Sequence, residues 1–217
     1  MAMSDSEPAF DWRQRIFERL AGTTPRHNPT EWLIPGMTVE QSQPYLPHFP
    51  KDPAPAAVLI PLVERETELT VLLTQRATQL KNHAGQVSFP GGRMEPEDLG
   101  PRETALREAQ EEIGLDPRWV SIAGYLPDHI VISGFRVTPV VGFVKPGFEL
   151  LLDAAEVAAS FEVPLSFVFE PGNFRKRLRK LPYGDAEIEI CDIPFGDRNI
   201  WGATAGMLMT LYRTIAP

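Results

Sequence analysis

A helix with marked ends, running from Pro101 to just before Gly114, constrains this chain more than any other stretch. Proline suits the first helical position, where its missing N–H would have had no partner. Glycine suits the left-handed residue that closes a helix. Between them Ala105, Leu106, Ala109 and Ile113 recur at helical spacing and predict an apolar stripe facing a core. The other edge breaks local rules. Glu108 and Glu112 stand four apart with Glu111 beside them, and like charges at that spacing cost about 0.2–0.5 kcal/mol per pair. Glu111 and Glu112 also fall in the last turn, where the helix dipole disfavours an anion by about 0.3–1 kcal/mol. A hard divalent cation removes both penalties, because it takes carboxylate oxygens as ligands. A solvated acidic face is the alternative for such a cluster. The Phe89-Pro90-Gly91-Gly92 turn upstream favours the cation, since paired glycines let a backbone approach a ligand closely.

Gly92 to Leu115 resembles the Nudix box, G-x5-E-x7-R-E-U-x-E-E-x-G-U with U aliphatic. Arg107, Glu108, Ala109, Glu111, Glu112, Gly114 and Leu115 fall on its second half. Upstream the chain departs from the box. Asp98 stands where the box has its first Glu, and one extra residue separates it from Arg107. In the family that acid pairs with the Arg, so the pair is left open here, while the metal-ligand positions are unaffected. Leu72 to Gly92, LLTQRATQLKNHAGQVSFPGG, resembles the segment that marks the coenzyme A diphosphatase branch of the family. Thr74, Arg76, Leu80, Lys81, His83, Gly85, Gln86 and Val87 all fall in place.

The resemblance implies an α/β fold, the Nudix α/β/α sandwich with a mixed β-sheet between helices. The division expected is an N-terminal extension over 1–53, a helix plus a proline-rich strap, and a hydrolase domain over 54–217. It also implies hydrolysis of a phosphoanhydride with Mg²⁺ or Mn²⁺. Glu108 and Glu112 share a helical face and are the expected direct ligands. Glu111 is a further ligand or the base that orients water, and the Gly91 carbonyl completes the shell. Arg107 is expected to hold the glutamates through charge-assisted hydrogen bonds. No Ser or Cys nucleophile motif competes, so no covalent enzyme intermediate is expected. The implied substrate is coenzyme A or its derivatives, cut at the diphosphate to 4′-phosphopantetheine and adenosine 3′,5′-bisphosphate. The rivals are another nucleoside diphosphate derivative, such as ADP-ribose or a dinucleoside polyphosphate, and a ligand-sensing domain without turnover. Arg76, Lys81, His83, Gln86 and Ser88 are the substrate-binding candidates. Arg76, Lys81 and His83 taken singly also read as ordinary surface or hydrogen-bonding residues, with Arg76 best suited to bidentate phosphate contact.

The rest of the chain is read around that core. Its 217 residues suit one large domain, or one with an extension. The net charge of −8 argues against general nucleic-acid binding. No apolar run approaches the ~20 residues that span a bilayer. The polar start and the single cysteine, Cys191, point to the cytoplasm and to a buried structural thiol. Phe10 to Leu20 reads as an amphipathic helix with Phe10, Phe17 and Leu20 on one face and Ile16 alongside, packed on the domain or on a second subunit of a homodimer. Ala56–Val63 and Leu69–Leu73 read as a strand hairpin, and Val120–Leu126 and Arg136–Val144 as further strands, with a loop near the site between the last two. Residues 153–161 read as a helix capped by Asp153. Glu156 within it faces the carboxylates or is a surface glutamate. Phe174 to Leu181, FRKRLRKL, reads as a strand paired with the Ile188–Ile193 run. It is either a solvated charged edge or a basic edge for phosphates. A closing helix is expected from Trp201.

Overall fold

The computed structural model describes residues 11–180 and 187–216. In chain order the helices are α1 (Trp12–Leu20), α2 (Val39–Ser42), α3 (Pro101–Ile113), α4 (Leu165–Val168) and α5 (Ala203–Ile215). The strands are β1 (Ala54–Glu64), β2 (Leu69–Arg76), β3 (Val87–Ser88), β4 (Gly91–Arg93), β5 (Val120–Tyr125) and β6 (His129–Ile130). They continue with β7 (Phe135–Val144), β8 (Val157–Pro164), β9 (Arg175–Lys180), β10 (Glu187–Phe195) and β11 (Arg198–Trp201).

The main sheet is mixed and runs β3-β2-β1-β7-β5, with β4 also on β1, β6 on β7 and β8 on β2. Its centre is the parallel pair β1–β7, from Ala54 opposite Phe135 to Val63 opposite Val144. Side chains alternate across a strand, and β1 uses both faces. Ala57, Leu59 and Val63 pack with Val140 and Val144 under Ala105, Ala109 and Ile113 of α3. Ile60 and Leu62 pack with Val141 and Phe143 against Ile16 and Leu20 of α1 and Leu208, Leu211 and Ile215 of α5. A sheet covered on both faces reads as continuous apolar runs, as β1 and β7 do. The product is three layers, helix, mixed sheet and helices, with α1 packed on the domain itself. A separate antiparallel sheet, β11-β10-β9, carries the basic run. Among the described residues no helix is long and apolar enough to cross a membrane.

Helix α3 has the ends the sequence dictates. Pro101 opens it, and Gly114 closes it at φ 69° in the left-handed region. The Gly114 N–H donates to the Gln110 carbonyl and Leu115 N–H to that of Ala109, which satisfies carbonyls the last turn would leave open. The strap also joins the sheet: Leu33 donates to the Asp128 carbonyl at 2.9 Å and accepts from Ile130 at 2.7 Å.

Other expectations give way to tertiary pairing. Residues 153–161 are not a helix. Asp153 does cap, but only a turn, accepting from the Ala155 N–H at 2.9 Å. From Val157 the chain is β8, antiparallel to β2. The ladder satisfies backbone along its whole length and buries Val157 and Val163, which an isolated short helix could not match. In α1 the buried residues are Ile16 and Leu20, while Phe17 is half exposed, so the expected Phe17 face is corrected by one position. Phe10 lies outside the described residues, as does Leu181 of the basic run. Trp201 ends β11, and the last helix starts only at Ala203. Cys191 is buried, as expected of a structural thiol.

Candidate active site

Strand β4 lies antiparallel to β1, with Gly92 opposite Ala57 and Gly91 opposite Val58. A Cβ on Gly91 would come within 2.6 Å of Val58 Cα, and one on Gly92 would meet the Glu108 carboxylate. Both glycines are therefore required by close approach, and they let α3 bring its glutamates onto the strand. Glu112 is 4% exposed. Its Oε2 accepts from the Gly91 N–H at 3.3 Å, and its Oε1 lies 3.9 Å from Arg76 Nη1. Burial, reinforced by the charges of Glu108 and Glu156, pushes the Glu112 carboxyl up to about 8. Glu108 is also raised, first by burial, and then by Glu111 and Glu156 against the pull of Arg107. Glu108 thus feels Glu111 and Glu156, and Glu112 feels Glu108 and Glu156, so the repulsion the sequence pattern announced also draws in Glu156.

Arg107 organises the acidic edge. Its Nε and Nη2 donate to the two oxygens of Asp98 at 3.1 and 2.9 Å. Its Nη1 donates to Glu108 and to Glu111, each at 3.0 Å. Nη2 also reaches the Arg93 carbonyl at 3.1 Å. Hydrogen bonds from Arg107 hold the Asp98 carboxyl well below the usual carboxylate range. The pair left open by the one-residue-longer spacer is therefore made. The Glu95 N–H and the Thr104 hydroxyl each add a bond to Asp98 at 2.9 Å.

A cavity of about 540 Å³ opens beside this cluster. Arg76, His83, Gln86, Ser88 and Gly91 line it. His83 sits at φ 59° and its Nδ1 is paired with Gln86 Oε1 at 2.9 Å, so the turn carries both side chains together. Ser88 is tied to Thr74 by a hydroxyl contact of 3.0 Å. Lys81 is exposed and lies outside the lining. Glu108, Glu111, Glu112 and Arg107 do not line the cavity either. They stand beside it, joined to it through Gly91 and Gly92 and through Arg76, which lines the cavity and reaches Glu112. Glu111 is the outermost, with 60% of its side chain exposed. Arg76 Nε is buried and meets no acceptor among the described residues. A buried donor left this way costs about 1–3 kcal/mol unless an anion supplies the acceptor.

The opposite cavity walls are legible in sequence only at the loop expected between β5 and β7, which supplies Ile130–Ser133. Ile130–Ser133, Phe135, Ile188, Ile190, Trp201 and Met207 supply them. Trp201 was read as the start of a helix, and only the tertiary fold brings β6, β10 and β11 to one side. Thr204 locks that side in place by donating to the Val87 carbonyl of β3 at 3.0 Å.

The donor set fits a hard divalent cation in part. Among the described residues no three His, Cys, Asp or Glu side chains converge as a complete ligand set. Two half-desolvated, mutually repelling carboxylates on one helical face suit Mg²⁺ nonetheless, which is bound through one or two carboxylates, several waters and substrate phosphates.

A family model described as NUDIX domain matches residues 53–179. An uncharacterized Nudix hydrolase NudL of Citrobacter koseri is 41% identical over 156 residues, 72% of this chain and 80% of that protein. Its namesake from Salmonella paratyphi B is 43% identical over 132 residues, 61% of this chain and 68% of the relative. Among solved structures, a Caenorhabditis elegans Ap4A hydrolase binary complex aligns with 51% of this chain and 80% of its own at 18% identity and a TM-score of 0.45.

Proposed function

The chain belongs to the Nudix family, and we propose that it is a metal-dependent hydrolase that cleaves the diphosphate of coenzyme A and its derivatives. The products are 4′-phosphopantetheine and adenosine 3′,5′-bisphosphate. One observation carries the reading. Arg76, His83 and Gln86, from the segment that resembles the coenzyme A branch, line a single cavity with Gly91, and Arg76 reaches Glu112.

Glu108 and Glu112, with the Gly91 carbonyl, would hold Mg²⁺ or Mn²⁺, which supplies charge for the diphosphate oxygens and lowers the pKa of the attacking water. The chain's own residues do the rest. Arg107 fixes Glu108 and Glu111 in register, because one planar guanidinium serves both. Glu111, exposed and tethered, takes the proton of the attacking water and passes it to solvent. Arg76 offers the diphosphate a guanidinium whose Nε has no acceptor among the described residues. His83, Gln86 and Ser88 line the approach.

The test is turnover of coenzyme A, ADP-ribose and a dinucleoside tetraphosphate at equal concentration, with Mg²⁺ and with a chelator. Coenzyme A should be consumed fastest, and only with the metal. Faster turnover of either rival replaces the substrate assignment. No turnover of any of them, with binding retained, makes the domain a sensor.

A further inference from the structure

The basic run holds one cation that faces the substrate cavity with its charge unspent. Strand register separates the two faces of the β9–β10 hairpin. Arg179 pairs with Ile188 and Arg177 with Ile190. Ile188 and Ile190 are buried and line the cavity, and so does Arg179. Lys176 and Leu178 lie on the other face with Glu187 and Glu189, around a separate hollow. On the cavity side Arg177 is already neutralised by Asp192, Nε to Oδ2 at 2.8 Å. Lys176, on the far side, is paired with Glu189 at 2.6 Å. Arg179 makes no ion pair with a carboxylate among the described residues. Its guanidinium instead stacks over the Trp201 ring, 5.2 Å from the centroid. That contact fixes the plane of the group, and among the described residues no acceptor is paired with its N–H edges, which is how an arginine is pre-organised for a phosphate.

We propose that Arg179, positioned by Trp201, binds the 3′-phosphate of the coenzyme A nucleotide and so sets the preference for it over nucleotides without that group. This rests on the coenzyme A reading above. A phosphate monoester is a dianion with three acceptor oxygens, and an overall charge of −8 repels it. The chain needs a local cation to offset that field, and Arg179 is the cavity-lining member of the run left to do it. Arg76 also lines the cavity, but it is taken up at the diphosphate end beside Glu112.

The experiment compares kcat/KM for coenzyme A and for dephospho-coenzyme A, which lacks the 3′-phosphate, in the wild type, R179A, R179K and R175A. The binding of adenosine 3′,5′-bisphosphate and of adenosine 5′-monophosphate is measured by calorimetry on the same proteins. R179A should lower the ratio of the two kcat/KM values by about tenfold or more, through KM rather than kcat, as expected for losing a hydrogen bond between charged groups. R179K should recover only part, having the charge without the planar fork. R175A, in the same strand but outside the cavity, should keep the wild-type ratio. A ratio that R179A leaves unmoved overturns the proposal, as does an equal fall in R175A, which would make the effect one of general charge. The calorimetry separates the two readings. If the wild type turns over neither substrate yet binds the bisphosphate more tightly through Arg179, the phosphate site stands and the catalytic reading fails. If coenzyme A is cleaved with no dependence on Arg179, the reverse holds.

Discussion

At the scale of single residues, two side chains carry opposite burdens. Glu112 is a carboxylate buried against its own kind, and Arg107 is the cation that makes the arrangement affordable. Glu112→Gln keeps the shape and removes a charged ligand. Hydrolysis should fall by about 100-fold or more, the scale of losing one major electrostatic element. Metal-free stability should move the other way. The Glu112 carboxyl is raised from 4.5 to about 8 in the folded protein. A raised acid favours the folded state most below its unfolded value, and that advantage is lost as pH rises through the folded one. Without metal the wild type should therefore lose stability between about pH 5 and 8. The glutamine variant should lack that loss, as melting curves across this range would show. Identical profiles for the two proteins would mean that Glu112 is not the strained group.

At the scale of elements, the question is what pins α3 to the loop before it. Asp98 does so through two bonds from Arg107, one from Thr104 and one from the Glu95 N–H. Asp98→Asn should cost about 2 kcal/mol at neutral pH, the size of lost bonds to a charged group. The sign of its pH dependence follows from the depressed carboxyl. Its contribution is complete above the unfolded value, near 3.8, and drains away as pH falls below it. The gap between wild type and variant should thus be widest at neutral pH and shrink in acid. A gap that stays constant down to about pH 2 would place the effect in packing rather than charge. Elements also show what local pattern can tell. Helix α3 was legible because proline, glycine and an apolar stripe agree on one period, although only Ala105, Ala109 and Ile113 of that stripe reach the core and Leu106 stays half-buried outside it. Residues 153–161 were not, because Asp153 signals a cap at the position where a turn hands over to β8. Only the β2 edge beside it decides the outcome.

At the scale of the whole molecule, the proposed function asks a chain of charge −8 to meet a polyanion, and Arg76, Arg93 and Arg179 are the arginines that line its cavity. The diphosphate end of that cavity was legible in sequence, since Arg76, His83, Gln86 and Ser88 lie on one continuous segment. The far end was legible only in part, as a basic run paired with Ile188–Ile193 that reads either as a solvated edge or as an edge for phosphates. Trp201, Ile188 and Arg179 belong to a second sheet, and no spacing in the chain announces that it faces the first. Lys81 was placed on the rim by proximity in sequence, but its turn carries it outside the lining. The measurement closest to the central claim is incubation of the purified protein with coenzyme A and Mg²⁺, with the products identified by mass. The account predicts 4′-phosphopantetheine and adenosine 3′,5′-bisphosphate in equal amounts, abolished by chelator and reduced at least about 100-fold in Glu112→Gln. Intact coenzyme A after prolonged incubation, while ADP-ribose is consumed under the same conditions, would contradict it.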